Sequence, residues 1–380
     1  MKRALFTTAA LTFVAAVVTA AHQPGSAPGQ AQEGRRLFER ETFGGNGRTC
    51  QTCHSRETGT LSPADVRQRF KTNPQDPLFL HDGSDDGFGN GSSRIRKDAT
   101  ILVTIPLAAN VSLADDPSAR TVTLRRAIPS TLNTPALDPV LMLDGRQPSL
   151  EAQAAGAIQD HALGVVPSAA SLRAIAEFQK TSAFFSSAAV RQFALQGRPL
   201  ELPAGRTPSE QRGRRFFEDV PPDLSQGLKP GLCAHCHSGP LLNTTNEFAA
   251  AFIPSPAPIP KGQRFLSVGI SEFNDAGNPL REFVFNAGTP QERRIVSPDP
   301  GRALLTGIVD DPTLEHVNAF KISPLRGIRH TAPYFHDNSA RTLEDVAAHY
   351  AKFFNVASGG LITLTPEDEQ DIVAFMKLLD

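Results

Sequence analysis

Apolar residues recur at helical spacing in two stretches far apart in the chain, PSAASLRAIAEFQK from Pro167 and TPEDEQDIVAFMK from Thr365, and each predicts an amphipathic helix. The start of the second is marked clearly: Thr365 suits the N-cap, Pro366 suits the first turn, and acidic residues follow. These helices close two longer segments that also match one another. GRRLFERETFGGNGRTCQTCHS (Gly34 to Ser55) and GRRFFEDVPPDLSQGLKPGLCAHCHS (Gly213 to Ser238) share an opening Gly-Arg-Arg-x-Phe and a closing C-x-x-C-H. Further on, IPSTLNTPALDPVLMLDGRQPSLEAQA (Ile128 to Ala154) pairs with ISPLRGIRHTAPYFHDNSARTLEDVA (Ile322 to Ala347), so that Leu143 faces His336, Asp144 faces Asp337 and Leu150 faces Leu343. The same order of features twice over predicts a duplicated helical unit. The boundary falls in the polar, Pro/Gly-bearing stretch from Gly197 to Glu210.

Loop-rich inserts interrupt both copies. In the first, the Gly/Asp/Asn/Ser-rich run KTNPQDPLFLHDGSDDGFGNGSS ends at Ser93 and reads as loop. In the second, PSPAPIPKG ends at Gly262 and is followed by FLSVGI and EFVFNAG, which read as a pair of short strands decorating a helical scaffold.

Composition adds limits. The 380 residues are 40% hydrophobic and 20% charged, enough for real cores, and the net charge of -1 provides no basic field for nucleic acid or an anionic membrane. Lys2 and Arg3 precede an apolar run from Ala4 to Val18, then Thr19, Ala20 and Ala21. This pattern predicts a signal peptide over residues 1–21, cleaved after Ala20 or Ala21, and export to the periplasm. The run of about 15 residues falls short of the roughly 20 needed to span a bilayer, so no membrane span is expected after cleavage.

All four cysteines belong to CQTCH and CAHCH. In C-x-x-C-H the two sulfurs can form thioethers to a haem while the adjacent His binds its iron, which assigns Cys50, Cys53 and His54 to one haem c and Cys233, Cys236 and His237 to another. A zinc site would have to join pairs about 180 residues apart and would leave both His residues unexplained. A thiol redox motif needs no His after its second Cys.

With these motifs, TAPYFHDNSARTLEDVAAHY and DGRQPSLEAQA, the chain resembles the bacterial di-haem cytochrome c peroxidases and their relative MauG across almost its whole mature length. The resemblance implies a mainly α fold of two tandem cytochrome c-like helical domains, residues 22–205 with a peroxidatic haem and 206–380 with an electron-transfer haem, carrying loop-rich inserts and a few short strands. It implies an oxidoreductase that reduces hydrogen peroxide at the N-terminal haem. Electrons enter through the C-terminal haem from a small cytochrome or cupredoxin, or from a partner protein as in MauG. The alternative is a non-catalytic di-haem electron carrier or redox sensor.

Carried over by position, Tyr350 is the distal ligand of the C-terminal haem, with His349 as the alternative. The same step from Leu150 reaches Ala157, which leaves the N-terminal iron an open face. Gln153 matches the family's distal glutamine. Where the family has a proton-handling glutamate stands Leu163, and His161 is the local substitute; His81 matches a loop ligand that gates the N-terminal iron. The bridging tryptophan is replaced by Leu143. For the family's calcium ion, Thr331 and Pro333 match the carbonyl ligands, whereas Ala127 replaces an asparagine.

Overall fold

The computed structural model describes residues 29–380 except 134, 136, 222, 224–229, 250–256 and 274–276; the expected signal peptide lies outside the described residues. Helix Gln30–Arg40 buries Gly34, Leu37 and Phe38 on one stripe and packs on helix Ala169–Thr181, whose N-cap Ser168 accepts from the Ser171 backbone N–H. The second half repeats the arrangement. Helix Pro208–Arg214 starts at a Thr207/Glu210 capping box and packs on helix Pro366–Met376, which starts at a Thr365/Asp368 capping box.

The repeated Gly-Arg-Arg-x-Phe acquires a cause at these crossings. A Cβ on Gly34 would lie 1.9 Å from the Ala174 carbonyl oxygen, and one on Gly213 would lie 1.9 Å from that of Asp371. Only glycine permits so close an approach. The phenylalanine of each motif packs on an aromatic of the crossing helix, Phe38 on Phe178 at 5.7 Å between centroids and Phe217 on Phe375 at 5.2 Å.

The mainly α expectation is met in part. Helices frame both halves, but seven strands among the described residues form three small antiparallel sheets. Thr100–Pro106 pairs with Thr121–Ala127, a ribbon the sequence reading did not anticipate. The expected pairing of FLSVGI with EFVFNAG does not form. Instead Phe265–Leu266 pairs with Phe320–Lys321, and Arg281–Phe285 lies between Val111–Leu113 and Arg293–Ser297. The insert of the second half therefore adds strands to the first: Phe283 and Phe285, alternating inward, are fully buried in a core with Val111, Leu113, Val122 and Leu124. No helix among the described residues is long and apolar enough to cross a membrane.

Candidate haem sites

Each C-x-x-C-H borders its own cavity. Cys50–Cys53 forms a single helical turn, fixed by reciprocal Thr49 and Thr52 capping, and with His54 it lines a cavity of about 1350 Å³ including its mouth. Cys233, Cys236 and His237 line a second cavity of about 1790 Å³. In both, the histidine Nδ1 is tied to a backbone carbonyl five residues later, His54 to Gly59 and His237 to Leu242, each at 2.8 Å. The carbonyl can only accept, so Nδ1 carries the hydrogen and Nε2 keeps its lone pair. Burial pushes the pKa of His54 below its usual value and that of His237 down to about 4, which favours the neutral, metal-binding form.

These residues fit a haem and fit the alternatives poorly. The four cysteines form no disulfide, and burial raises the thiol pKa of Cys53 to about 11 and of Cys50 and Cys236 to about 12, unlike the depressed values of reactive redox thiolates. The two pairs border different cavities, so they share no donor set. His336 also fits a cavity that holds a polar-edged group: it is 2% exposed, borders the second cavity, and neither ring nitrogen has a hydrogen-bond partner among the described residues.

The two cavities differ where the sequence register says they should. Helices Leu150–Asp160 and Leu343–Ala357 begin at matching leucines, so Ala157 and Tyr350 occupy the same place two turns on, and each borders its cavity. Tyr350 packs against Phe335, Phe353 and Phe354, and its hydroxyl makes no hydrogen bond to the described residues. Burial raises its pKa above the usual phenol value, so a phenolate here needs a cation beside it. His349 turns elsewhere, with Nε2 2.9 Å from the Val268 carbonyl oxygen, and does not border the cavity.

Around the first cavity, Gln153 and Ala157 come from the helix and His161 is its C-cap residue. His81 is not brought there: its Nε2 lies 3.0 Å from the Asp160 carbonyl oxygen. The next residue reaches His161, which does border the cavity. Asp82 places Oδ2 2.5 Å from His161 Nδ1, while its Oδ1 takes a hydrogen bond from Arg48. Burial opposes ionisation of Asp82, but His161 and Arg48 outweigh it and hold its pKa below the ordinary value. His81 stands out in the sequence by residue type, whereas nothing local marks its acidic neighbour Asp82. Leu163, at the family's glutamate position, is 53% exposed.

Between the cavities, Ala127, Ile128, Pro129, Ser130, Leu143 and Lys321 border both. Leu143 thus occupies a boundary position without an aromatic ring. The nearby rings are Phe320 and His336, stacked at 3.6 Å and 8° on the second cavity's wall. Thr331 and Pro333 border that cavity too, and among the described residues no cluster of three or more acidic, His or Cys side chains accompanies them. Arg126, which borders the first cavity, donates to both oxygens of Asp299 at 2.7 and 2.8 Å and to Asp144 at 2.5 Å. Asp144 also takes 2.9 Å bonds from Arg146, so the Asp-Gly-Arg motif is a closed ion-pair loop.

The fold has a counterpart among known proteins. No family model matches the chain. A crystal structure of a MauG-like protein associated with microbial copper homeostasis aligns over 95% of this chain and 91% of its own, with a TM-score of 0.50 and 20% identity. The diheme peroxidase BthA from Burkholderia thailandensis aligns over 93% and 86%, with a TM-score of 0.45 and 15% identity. Among curated proteins, the cytochrome-c peroxidase IdrP1 of Denitromonas iodatirespirans is 27% identical over 159 residues, 39% of this chain. The match spans only 36% of that relative's length. The chain resembles the bacterial di-haem cytochrome c peroxidase and MauG family, as its repeated motifs imply, and shares the fold of the MauG-like protein.

Proposed function

We propose that the chain is a periplasmic di-haem c-type oxidoreductase of the peroxidase kind, reducing hydrogen peroxide in the N-terminal cavity with electrons supplied through the C-terminal one. Thioethers from Cys50 and Cys53 with His54 on the iron hold one haem; Cys233, Cys236 and His237 hold the other. The observation that supports this reading most is the asymmetry of two matching cavities, with Tyr350 in one and Ala157 at the same register in the other. A methyl group cannot bind metal, so the Ala157 side is left for a small ligand.

Haem supplies the redox chemistry, and the protein governs access and protons. One peroxide, two electrons and two protons give two waters. The Gln153 amide can hydrogen-bond the peroxide, and His161 can take a proton from one peroxide oxygen and return it to the other. Single electrons come from a small reduced cytochrome or cupredoxin, or from a side chain of a partner protein.

A second reading, a non-catalytic carrier, has one observation in its favour. Met142 borders the first cavity and could close it with a thioether ligand. Mixing the ferric and the half-reduced holoprotein with peroxide while recording the Soret band separates the two. A peroxide-dependent change in either state is expected, and none in both states is the carrier's result.

A further inference from the structure

Beside the N-terminal cavity, the buried Asp82 carboxylate pairs with the imidazole of His161, and His161 borders the cavity. Asp82 is 4% exposed and Arg48 2%, so the carboxylate is already neutralised by a buried guanidinium. Arg48 is itself fixed by the carbonyls of Pro77 at 2.8 Å and Leu78 at 3.1 Å, and by that of Leu80. Asp82 therefore has its charge partner and its position without His161.

His161, by contrast, is held from three directions. Its backbone carbonyl takes bonds from Asn46 Nδ2 at 3.0 Å and Arg48 Nη1 at 3.1 Å, and its Nδ1 meets Asp82 Oδ2 at 2.5 Å. Its side chain stays 22% exposed and borders the cavity. A carboxylate only accepts hydrogen bonds, so Nδ1 carries the hydrogen and, in the neutral ring, Nε2 is the acceptor.

We propose that Asp82, anchored by Arg48, is a positioning residue that sets both the orientation and the tautomer of His161, leaving Nε2 to accept a proton from a small ligand entering the N-terminal cavity. The inference rests on the peroxidase reading for its biological purpose, but its chemistry applies to any protic ligand of that haem. It also gives the Gly/Asp-rich loop a function: the loop delivers a carboxylate to an imidazole rather than a histidine to the iron.

Hydrogen cyanide tests this apart from turnover, because it binds ferric haem as the anion and must give up its proton on entry. In holoprotein, Asp82→Asn puts an amide donor against Nδ1 and favours the opposite tautomer. Cyanide association is expected to slow about a hundredfold in Asp82→Asn and in His161→Gln alike, the low end of what a placed proton acceptor contributes. The double variant should be no slower than His161→Gln alone, since Asp82 acts only through His161. Association at the wild-type rate in Asp82→Asn, or a further loss in the double variant, overturns the proposal.

The unmodified protein provides a second readout that does not depend on the variants folding. In its ferrous carbon monoxide complex, nitrogen-15 NMR should show His161 protonated at Nδ1 and bare at Nε2, and the reverse tautomer overturns the proposal. The cyanide and NMR results as expected, with no peroxide reaction in any oxidation state, would defeat the peroxidase reading and leave the positioning role standing. Rapid peroxide reaction with unaltered cyanide rates in both variants would do the opposite.

Discussion

An Arg126→Met chain is expected to lose about 3–5 kcal/mol of stability, because it leaves Asp299 buried without its cation and Asp144 with Arg146 alone. Arg126 is 1% exposed and is the common partner of Asp144 and Asp299, each with a fully buried side chain. It also ties three parts of the chain together: the strand Thr121–Ala127, the Asp-Gly-Arg loop, and the turn at Asp299. Urea unfolding of the holoprotein measures the loss; a change below about 1 kcal/mol would mean that the cluster contributes as little as an exposed pair.

The same cluster predicts an acid dependence. Burial raises the cost of ionising Asp144, but Arg126 and Arg146 overcome it and hold its folded pKa below the unfolded value. A carboxylate depressed in this way stabilises the fold fully above the ordinary carboxylate range, near pH 4, and loses that contribution as pH falls through its folded pKa. The wild type should therefore weaken steeply in acid, and Arg126→Met less so.

A Tyr350→Phe protein is expected to keep both haems but to change the ferric spectrum of the C-terminal one and raise its reduction potential by on the order of 0.1–0.3 V. The phenol oxygen is a hard ligand that favours ferric iron, and axial ligands span roughly 0.8 V in haem proteins. Phenylalanine keeps the packing against Phe335, Phe353 and Phe354 and removes only the oxygen, so the fold should be unaffected. Electron paramagnetic resonance and redox titration of wild type and variant measure the change. Identical spectra and potentials would return Tyr350 to a packing role.

Features carried by adjacent residues were legible in the sequence. The C-x-x-C-H cassettes, the Thr365 cap and the register that sets Ala157 against Tyr350 depend on spacing within a turn or two of helix, and the chain writes most of them twice. Features made by distant pairing were not. Val111–Leu113 finds Arg281–Phe285 across the two halves through a register of three residues, too short to leave a signature at either end. FLSVGI is equally suited to any open edge, and Phe320–Lys321 provided it. Asp82 escaped notice because its partners, Arg48 and His161, lie 34 and 79 residues away.

Two haems bonded to the two cysteine pairs are the condition for every other role proposed for these cavities. Intact mass spectrometry of protein matured with export and c-type assembly machinery tests this directly, under denaturing conditions that strip any haem held without a covalent bond. The mass should exceed that of the cleaved polypeptide by two haems, and by one haem when Cys50 and Cys53 are both alanine. A colourless product at the bare polypeptide mass would contradict it.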